Sequence, residues 1–307
     1  MSTERIGGAN RDSQPARRSP AQALPLPLRL ARTGLNTLGR ISPSLAGRFA
    51  FGFFCTPLRY AEPPREAEVL QQAERFSIPF KDIRLAAYAW GEGPTMLLVH
   101  GWSGRGSQLG SFVAPLVAAG HRVVAFDLPA HGRTPGRRTN GAMTTAAVLR
   151  VGEALGPLRG VIAHSFGALS TTLALRDGLV ADRVVYLAPA CRASQAVQGF
   201  ARQFGLSWPV EWGLRGAMER GFGPDVWPRF SGRVCAPHLR TPALIIHDLD
   251  DAEVPYREGQ LLAHSWPGAR LIATAGLGHR RILRDERIVE QAVEFLRAVG
   301  VPRASAA

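Results

Sequence analysis

Ser165 lies in the segment Ala163-His164-Ser165-Phe166-Gly167, after the apolar run Gly160–His164 and before a helix-like stretch opening Ala168-Leu169-Ser170. A chain that turns sharply from strand to helix at a serine presents the hydroxyl at the carboxyl edge of a sheet, beside N–H groups of the helix start. The turn tolerates only small residues two positions before and two after the serine. Gly167 meets that need, and Ala163 stands where glycine is usual. Such a hydroxyl becomes a nucleophile once a neighbouring base removes its proton.

The remaining parts of that chemistry lie at other strand ends. His100-Gly101-Trp102 closes the apolar run Thr-Met-Leu-Leu-Val-His at residues 95–100. Gly101 lets the backbone approach a reacting carbonyl, so the amides of Trp102 and Phe166 form a candidate oxyanion hole. His100 reads as a structural histidine that organises its loop. Asp248, Asp250 and Asp251 follow the run at residues 243–247. A carboxylate there can accept the N–H of a histidine from the next loop. Asp251, just before the turn to Val254-Pro255, is favoured over Asp248, and Asp250 comes last. Gly276-Leu277-Gly278-His279 follows the last candidate strand. Of the eight histidines, His279 alone combines a strand end, a glycine-rich loop and the right chain order. Its near-neutral pKa suits it to take the serine proton and return it to a leaving group. His121, His131, His164, His238, His247 and His264 read as structural or surface residues.

These residues need a scaffold of strands whose carboxyl ends converge. Residues 76–80 and Ile83–Trp90 alternate as half-buried antiparallel strands do. Residues 95–100, 123–127, Gly160–His164, 184–188, 243–247 and Arg270–Thr274 are short continuous apolar runs, as in strands buried on both faces. Residues 108–119, 142–155 and 286–299 carry helical periodicity. The alternation predicts a mostly parallel sheet covered by helices on both faces. Phe200, Phe204, Trp208, Trp212, Phe222 and Trp227 fall in an interval without a convincing strand, which predicts a helical cap at about 191–240.

From about residue 76 to 299 the chain resembles the α/β-hydrolase superfamily element by element. The resemblance covers the strand–His–Gly loop, Asp127-Leu128-Pro129-Ala130-His131-Gly132, the serine turn, and the acid and histidine loops, in the order Ser165, Asp251, His279. It implies an α/β-hydrolase fold with a small cap insertion and an esterase- or lipase-like serine hydrolase. It also implies structural roles for Asp127 and Gly132 beside the site. Members that cleave halides or epoxides carry aspartate at the nucleophile position, so Ser165 argues against those reactions. Hydrolysis of a carboxylic ester or thioester is the leading expectation. The same triad also serves C–C bond hydrolysis, lyase and acyl-transfer chemistry, and a non-catalytic ligand-binding member is the remaining alternative. The aromatic cap suggests an apolar acyl group.

Composition narrows the class further. With 307 residues, 46% hydrophobic and 20% charged, the chain can bury a large core without staples. Residues 1–62 read as an N-terminal extension and 63–307 as the hydrolase domain. Residues 1 to about 25 have a disordered composition. Leu28, Ala31, Leu35 and Leu38 then recur at helical spacing among arginines, so residues 28–54 read either as a peripheral membrane contact or as helix packed on the main domain. The formal charge is +13, but Lys81 is the only lysine and no nucleic-acid module accompanies the arginines, so no nucleic-acid partner is expected. The apolar run at residues 49–55 is far shorter than the roughly 20 residues that span a bilayer. Cys55, Cys191 and Cys235 share no metal or redox spacing and predict reduced thiols in a cytoplasmic protein. Gly101 to Gly106 lacks phosphate-loop and dinucleotide spacing, so a cofactor-free mechanism is expected. Nothing in the sequence specifies an oligomeric state.

Overall fold

The computed structural model describes residues 3–5 and 26–297. Its strands are β1 (Thr3–Arg5), β2 (Glu74–Phe80), β3 (Ile83–Trp90), β4 (Thr95–Val99), β5 (Arg122–Phe126), β6 (Gly160–His164), β7 (Val184–Leu187), β8 (Ala243–Asp248) and β9 (Arg270–Thr274). They form one sheet in the order β1-β9-β8-β7-β6-β4-β5-β3-β2. Neighbours from β1 to β5 are parallel, and β3 and β2 close the other edge as an antiparallel hairpin. The central runs are continuously apolar because both faces are covered. Leu97 and Val99 of β4 join one core cluster, and Met96 and Leu98 join the cluster on the opposite face.

The helices are α1 (Leu26–Ile41), α2 (Pro43–Phe54), α3 (Pro64–Gln71), α4 (Val113–Ala118), α5 (Gly141–Leu155), α6 (Phe166–Arg176), α7 (Ala193–Phe204), α8 (Trp208–Phe222), α9 (Val226–Arg229), α10 (Gly232–Cys235), α11 (Tyr256–Ser265), α12 (Gly278–Arg281) and α13 (Glu286–Arg297). The α/β-hydrolase architecture expected from the sequence is present. Chain order reverses direction at β4, which lies between β5 and β6. A crevice opens beyond the carboxyl ends of parallel strands at such a reversal. The loops after β4 and β6 carry Trp102 and Ser165 to that place.

Two local features differ from the sequence reading. Residues 108–119 do not form one helix: a 3₁₀ segment at Gly106–Phe112 precedes α4. Pro115 has no N–H to give and crowds the carbonyl four residues earlier, so it fits only the first turn of a new helix. Thr3–Arg5, in the stretch of disordered composition, pairs with Leu271–Ala273 along the outer edge of β9. That edge offers unpaired backbone groups, and backbone pairing needs no apolar side chain. Residues 6–25 lie outside the described residues.

Residues 26–54 form α1 and α2, which pack against α8. Ser42 caps α2, accepting from the Leu45 amide at 3.4 Å, with Pro43 in the first turn. Gly47 of α2 crosses Gly213 of α8 so closely that a methyl on either residue would collide with the other helix's backbone. Around this crossing Ala46, Ala50, Val197, Val210, Leu214 and Val226 form a separate apolar cluster. The outer face keeps Leu30, Ile41, Leu45 and Phe49 exposed. No described helix is long and apolar enough to cross a membrane.

Candidate active site

The turn from β6 into α6 places Ser165 at φ 54° and ψ −121°, a sparsely populated backbone region for a residue with a side chain. The conformation is held from both sides. The Ser165 amide donates to the Leu187 carbonyl at 3.0 Å, and the Ser165 carbonyl accepts from Ala168 and Ala190 at 3.1 Å each. A side chain on Gly167 would strike the His100 carbonyl, and a Cβ on Gly101 would sit 2.9 Å from Ser165 Cβ. Ala163 is fully buried, and its methyl is accommodated where glycine is usual.

Ser165 Oγ lies 3.0 Å from His279 Nε2, and His279 Nδ1 lies 2.7 Å from Asp251 Oδ2. All three side chains are buried. Asp251 Oδ1 accepts from the amides of Glu253 and Val254 at 2.8 and 2.9 Å. Burial raises the Asp251 pKa, but hydrogen bonds from His247 and His279, the charge interaction with His279 and the Val254 amide outweigh it, holding it well below the usual carboxylate range. The carboxylate therefore stays ionised and keeps a proton on His279 Nδ1. That leaves Nε2 free to accept from the serine hydroxyl.

Asp248 and Asp250 do not reach His279; they fix the loop that carries it. Asp248 Oδ2 accepts from Thr274 Oγ1 at 2.7 Å and from the Leu277 amide at 3.0 Å. Asp250 Oδ2 accepts from the Gly276 amide at 2.9 Å. Three histidines that the sequence did not mark out for the site brace it as well. His164 Nε2 donates to the His279 carbonyl at 3.0 Å. His247 Nε2 donates to the Val254 carbonyl at 3.0 Å and lies 3.4 Å from Asp251 Oδ2. His131 Nδ1 donates to the Pro129 carbonyl while its Nε2 accepts from the Ser103 amide, both at 3.0 Å. The signal available in advance was that His164 and His247 also close strands.

The loop holding Trp102 is pinned in the same manner. His100 Nδ1 donates to the Gly101 carbonyl at 2.7 Å, and its Nε2 accepts from the Leu128 amide at 3.0 Å. Asp127 accepts from Tyr88, Gly106 and Arg133 at 2.8–2.9 Å, and a Cβ on Gly132 would collide with its carboxylate. The Trp102 and Phe166 rings meet edge to face at 5.3 Å. Their two amides, the candidate oxyanion donors, have no hydrogen-bond partner among the described residues.

A cavity of about 790 Å³ opens above Ser165. Its walls include Phe200 and Phe204 from α7, Phe222 from α8, and Phe51, Phe53 and Phe54 from α2. The sequence assigned the α2 aromatics to an extension; the run at residues 49–55 was their only trace. Trp208 and Trp212 instead stack on the outer surface, 73% and 56% exposed. Cys55 also borders the cavity, but burial pushes its thiol up to about 11, so it is protonated and unreactive at neutral pH. Among the described residues no three His, Cys, Asp or Glu side chains converge as metal ligands would.

The buried histidines give the fold a pH dependence. Burial lowers His100 to about 4 and His131 to about 3, and holds His164 well below its ordinary value. Each folded pKa lies below the unfolded value near 6.5. Between the two, the unfolded chain binds more protons, so stability is lost as pH falls from about 6.5 toward about 4. His100 and His131 each remove roughly 2 kcal/mol by pH 5. Asp251, depressed in the opposite sense of charge, keeps its contribution until pH falls below the ordinary carboxylate range. The expected result is a clearly lower Tm at pH 5 than at pH 7.5, read by circular dichroism. Equal values would contradict neutral burial of these rings.

The sequence matches the model of the alpha/beta hydrolase family over residues 96–292. No curated protein matches it. Among solved structures, the chain is similar to an esterase from Pyrococcus furiosus, with TM-score 0.60 and 20% identity over 79% of this chain and 97% of that one. It is similar to an esterase from Exiguobacterium antarcticum, with TM-score 0.57 and 14% identity over 73% and 100%. A thioesterase domain from the curacin biosynthetic pathway gives TM-score 0.55 and 16% identity over 73% and 98%. At these identities the likenesses carry the fold.

Proposed function

We propose that this chain, which belongs to the alpha/beta hydrolase family, hydrolyses a carboxylic ester or thioester through an acyl-enzyme on Ser165. The observation that carries this reading is the continuous relay from Ser165 Oγ through His279 to Asp251, at 3.0 and 2.7 Å, opening on an aromatic-walled cavity. Ser165 Oγ attacks the acyl carbonyl while His279 Nε2 takes its proton. The carbonyl oxygen becomes an oxyanion and accepts from the Trp102 and Phe166 amides. Asp251 stabilises the imidazolium and fixes its orientation. As the intermediate collapses, the bond to the alcohol or thiol breaks and His279 protonates the leaving group. Water then attacks the acyl-enzyme, gives a proton to His279, and releases the acid with Ser165 restored. The aromatic walls favour an apolar acyl chain.

A fluorophosphonate probe tests the mechanism, because it reacts with activated serines. Wild type is expected to label at Ser165, and Ser165→Ala is expected to show no label. A folded wild-type protein that stays unlabelled would refute the mechanism.

A further inference from the structure

We infer that the outer face of α1 and α2 docks on an anionic lipid bilayer, whatever reaction Ser165 performs.

α1 is apolar on more than one side. Leu35 and Leu38 turn inward and pack on the cluster that holds Val210 and Leu214. Leu26, Leu30 and Ile41 are spaced by four and eleven positions, so they share another side of the helix at 3.6 residues per turn. They are 64%, 64% and 80% exposed. α2 repeats the arrangement. Ala46 and Ala50 are buried in the same cluster, whereas Leu45 and Phe49, four positions apart, stand in solvent. Five of the eleven large apolar side chains exposed among the described residues therefore fall on two consecutive helices. Single exposed apolar groups are ordinary on a soluble protein, but a concentration of them marks a contact surface.

Charge identifies the occupant. Arg29, Arg40 and Arg48 are exposed on the same two helices, and none has an ion-pair partner among the described residues. Residues 26–61 contain no aspartate or glutamate. Arg29 and Arg40 are eleven positions apart, so they form a line along α1 beside the exposed leucines. Apolar side chains next to uncompensated arginines suit a helix lying in the headgroup layer. The apolar groups then enter the acyl boundary and the guanidinium groups meet anionic headgroups. A second copy of the chain is the poorer occupant, because it would set these arginines against their own kind with no acid to meet them. A fluid lipid surface also needs no matched shape. Phe51, Phe53 and Phe54 of α2 line the cavity above Ser165, so a single helix separates docked lipid from that cavity.

Cosedimentation of the full chain with vesicles tests this, using phosphatidylcholine alone and an equal mixture of phosphatidylcholine and phosphatidylglycerol. Wild type is expected to bind the mixed vesicles on the order of a hundredfold more tightly than the neutral ones, and concentrated salt is expected to release it. Leu30→Asp and Phe49→Asp are each expected to weaken binding about tenfold or more, the loss of one buried apolar side chain. Arg48→Gln is expected to weaken it about fivefold, the loss of one arginine near the surface. Val234→Asp on α10 and Arg257→Gln on α11 make the same charge changes at exposed positions elsewhere, and are expected to bind as wild type does. Ser165→Ala is likewise expected to bind normally, so docking and the acyl-enzyme mechanism stand or fall separately. Equal melting temperatures check that the variants are folded. A wild type that ignores the mixed vesicles, or Leu30→Asp and Phe49→Asp proteins that bind as tightly as Val234→Asp, would overturn the inference. A dimer in solution that Phe49→Asp splits, with no vesicle binding, would assign the face to a second copy instead.

Discussion

Ser165→Ala is expected to lower kcat for a 4-nitrophenyl ester by about 10⁴- to 10⁶-fold, and His279→Ala added to it is expected to cost almost nothing more. The two side chains form one device. The hydroxyl is a poor nucleophile until His279 Nε2, 3.0 Å away, accepts its proton. The imidazole has no covalent partner once the hydroxyl is gone. Losses therefore do not add, and the residual rate belongs to the Trp102 and Phe166 amides and to binding. The fold should survive, because Ser165 is held through its backbone bonds to Leu187, Ala168 and Ala190. Kinetics and thermal melts on the single and double variants check this. A Ser165→Ala protein with more than about 1% of wild-type kcat would point to a different nucleophile.

Asp251→Asn and Asp248→Asn are expected to fail in opposite ways. Asp251 accepts from His279 with one oxygen and from two amides with the other. An asparagine must either turn its NH₂ toward two N–H donors or face it toward His279. Facing His279, it forces the proton onto Nε2, where the serine needs an acceptor. A fall in kcat of about 10⁴-fold follows, the size seen when the same change sets the wrong tautomer in a Ser-His-Asp triad. Asp248 is buried and accepts from Thr274 Oγ1 and the Leu277 amide on one oxygen. Its replacement leaves a buried donor unsatisfied and costs about 1–3 kcal/mol of stability, while kcat for the folded fraction stays within about tenfold. Paired kcat and Tm measurements separate the two. The reverse pattern would hand the acid role to Asp248.

The relay was legible because each member closes a strand. Ser165, Asp251 and His279 follow β6, β8 and β9, and continuous apolar runs buried on both faces are hard to mistake. The choice among the aspartates was harder. Asp248 and Asp250 stand at the same strand end, and only the path of the chain through Val254 shows which carboxylate meets the imidazole. Periodicity also hid the division of labour among the cap aromatics. Phe200 and Phe204 face the cavity and Trp208 faces outward, yet all three sit in helices at helical spacing. The largest omission was the place of α2 in the cavity wall. Its packing partner α8 is 166 positions away between Gly47 and Gly213, and no local pattern announces a contact at that range. His131 was equally silent, since a ring that holds a loop leaves no mark in composition.

The backbone at Ser165, φ 54°, has neighbours in kind at Ser103, Ala130 and Ala188, with φ of 57°, 66° and 47°. All four belong to loops that shape the site. Non-glycine residues in such regions cost about 1–3 kcal/mol each, against a net stability of about 5–15 kcal/mol for a typical domain. Heat resistance and turnover thus draw on the same few peptide units in opposite directions. Selection for survival at high temperature alone would drive these positions toward glycine, and at residue 165 it would discard the hydroxyl proposed as the nucleophile. Thermal selection of this protein has to be coupled to a selection for turnover, or it will yield a sturdier molecule with an idle cavity.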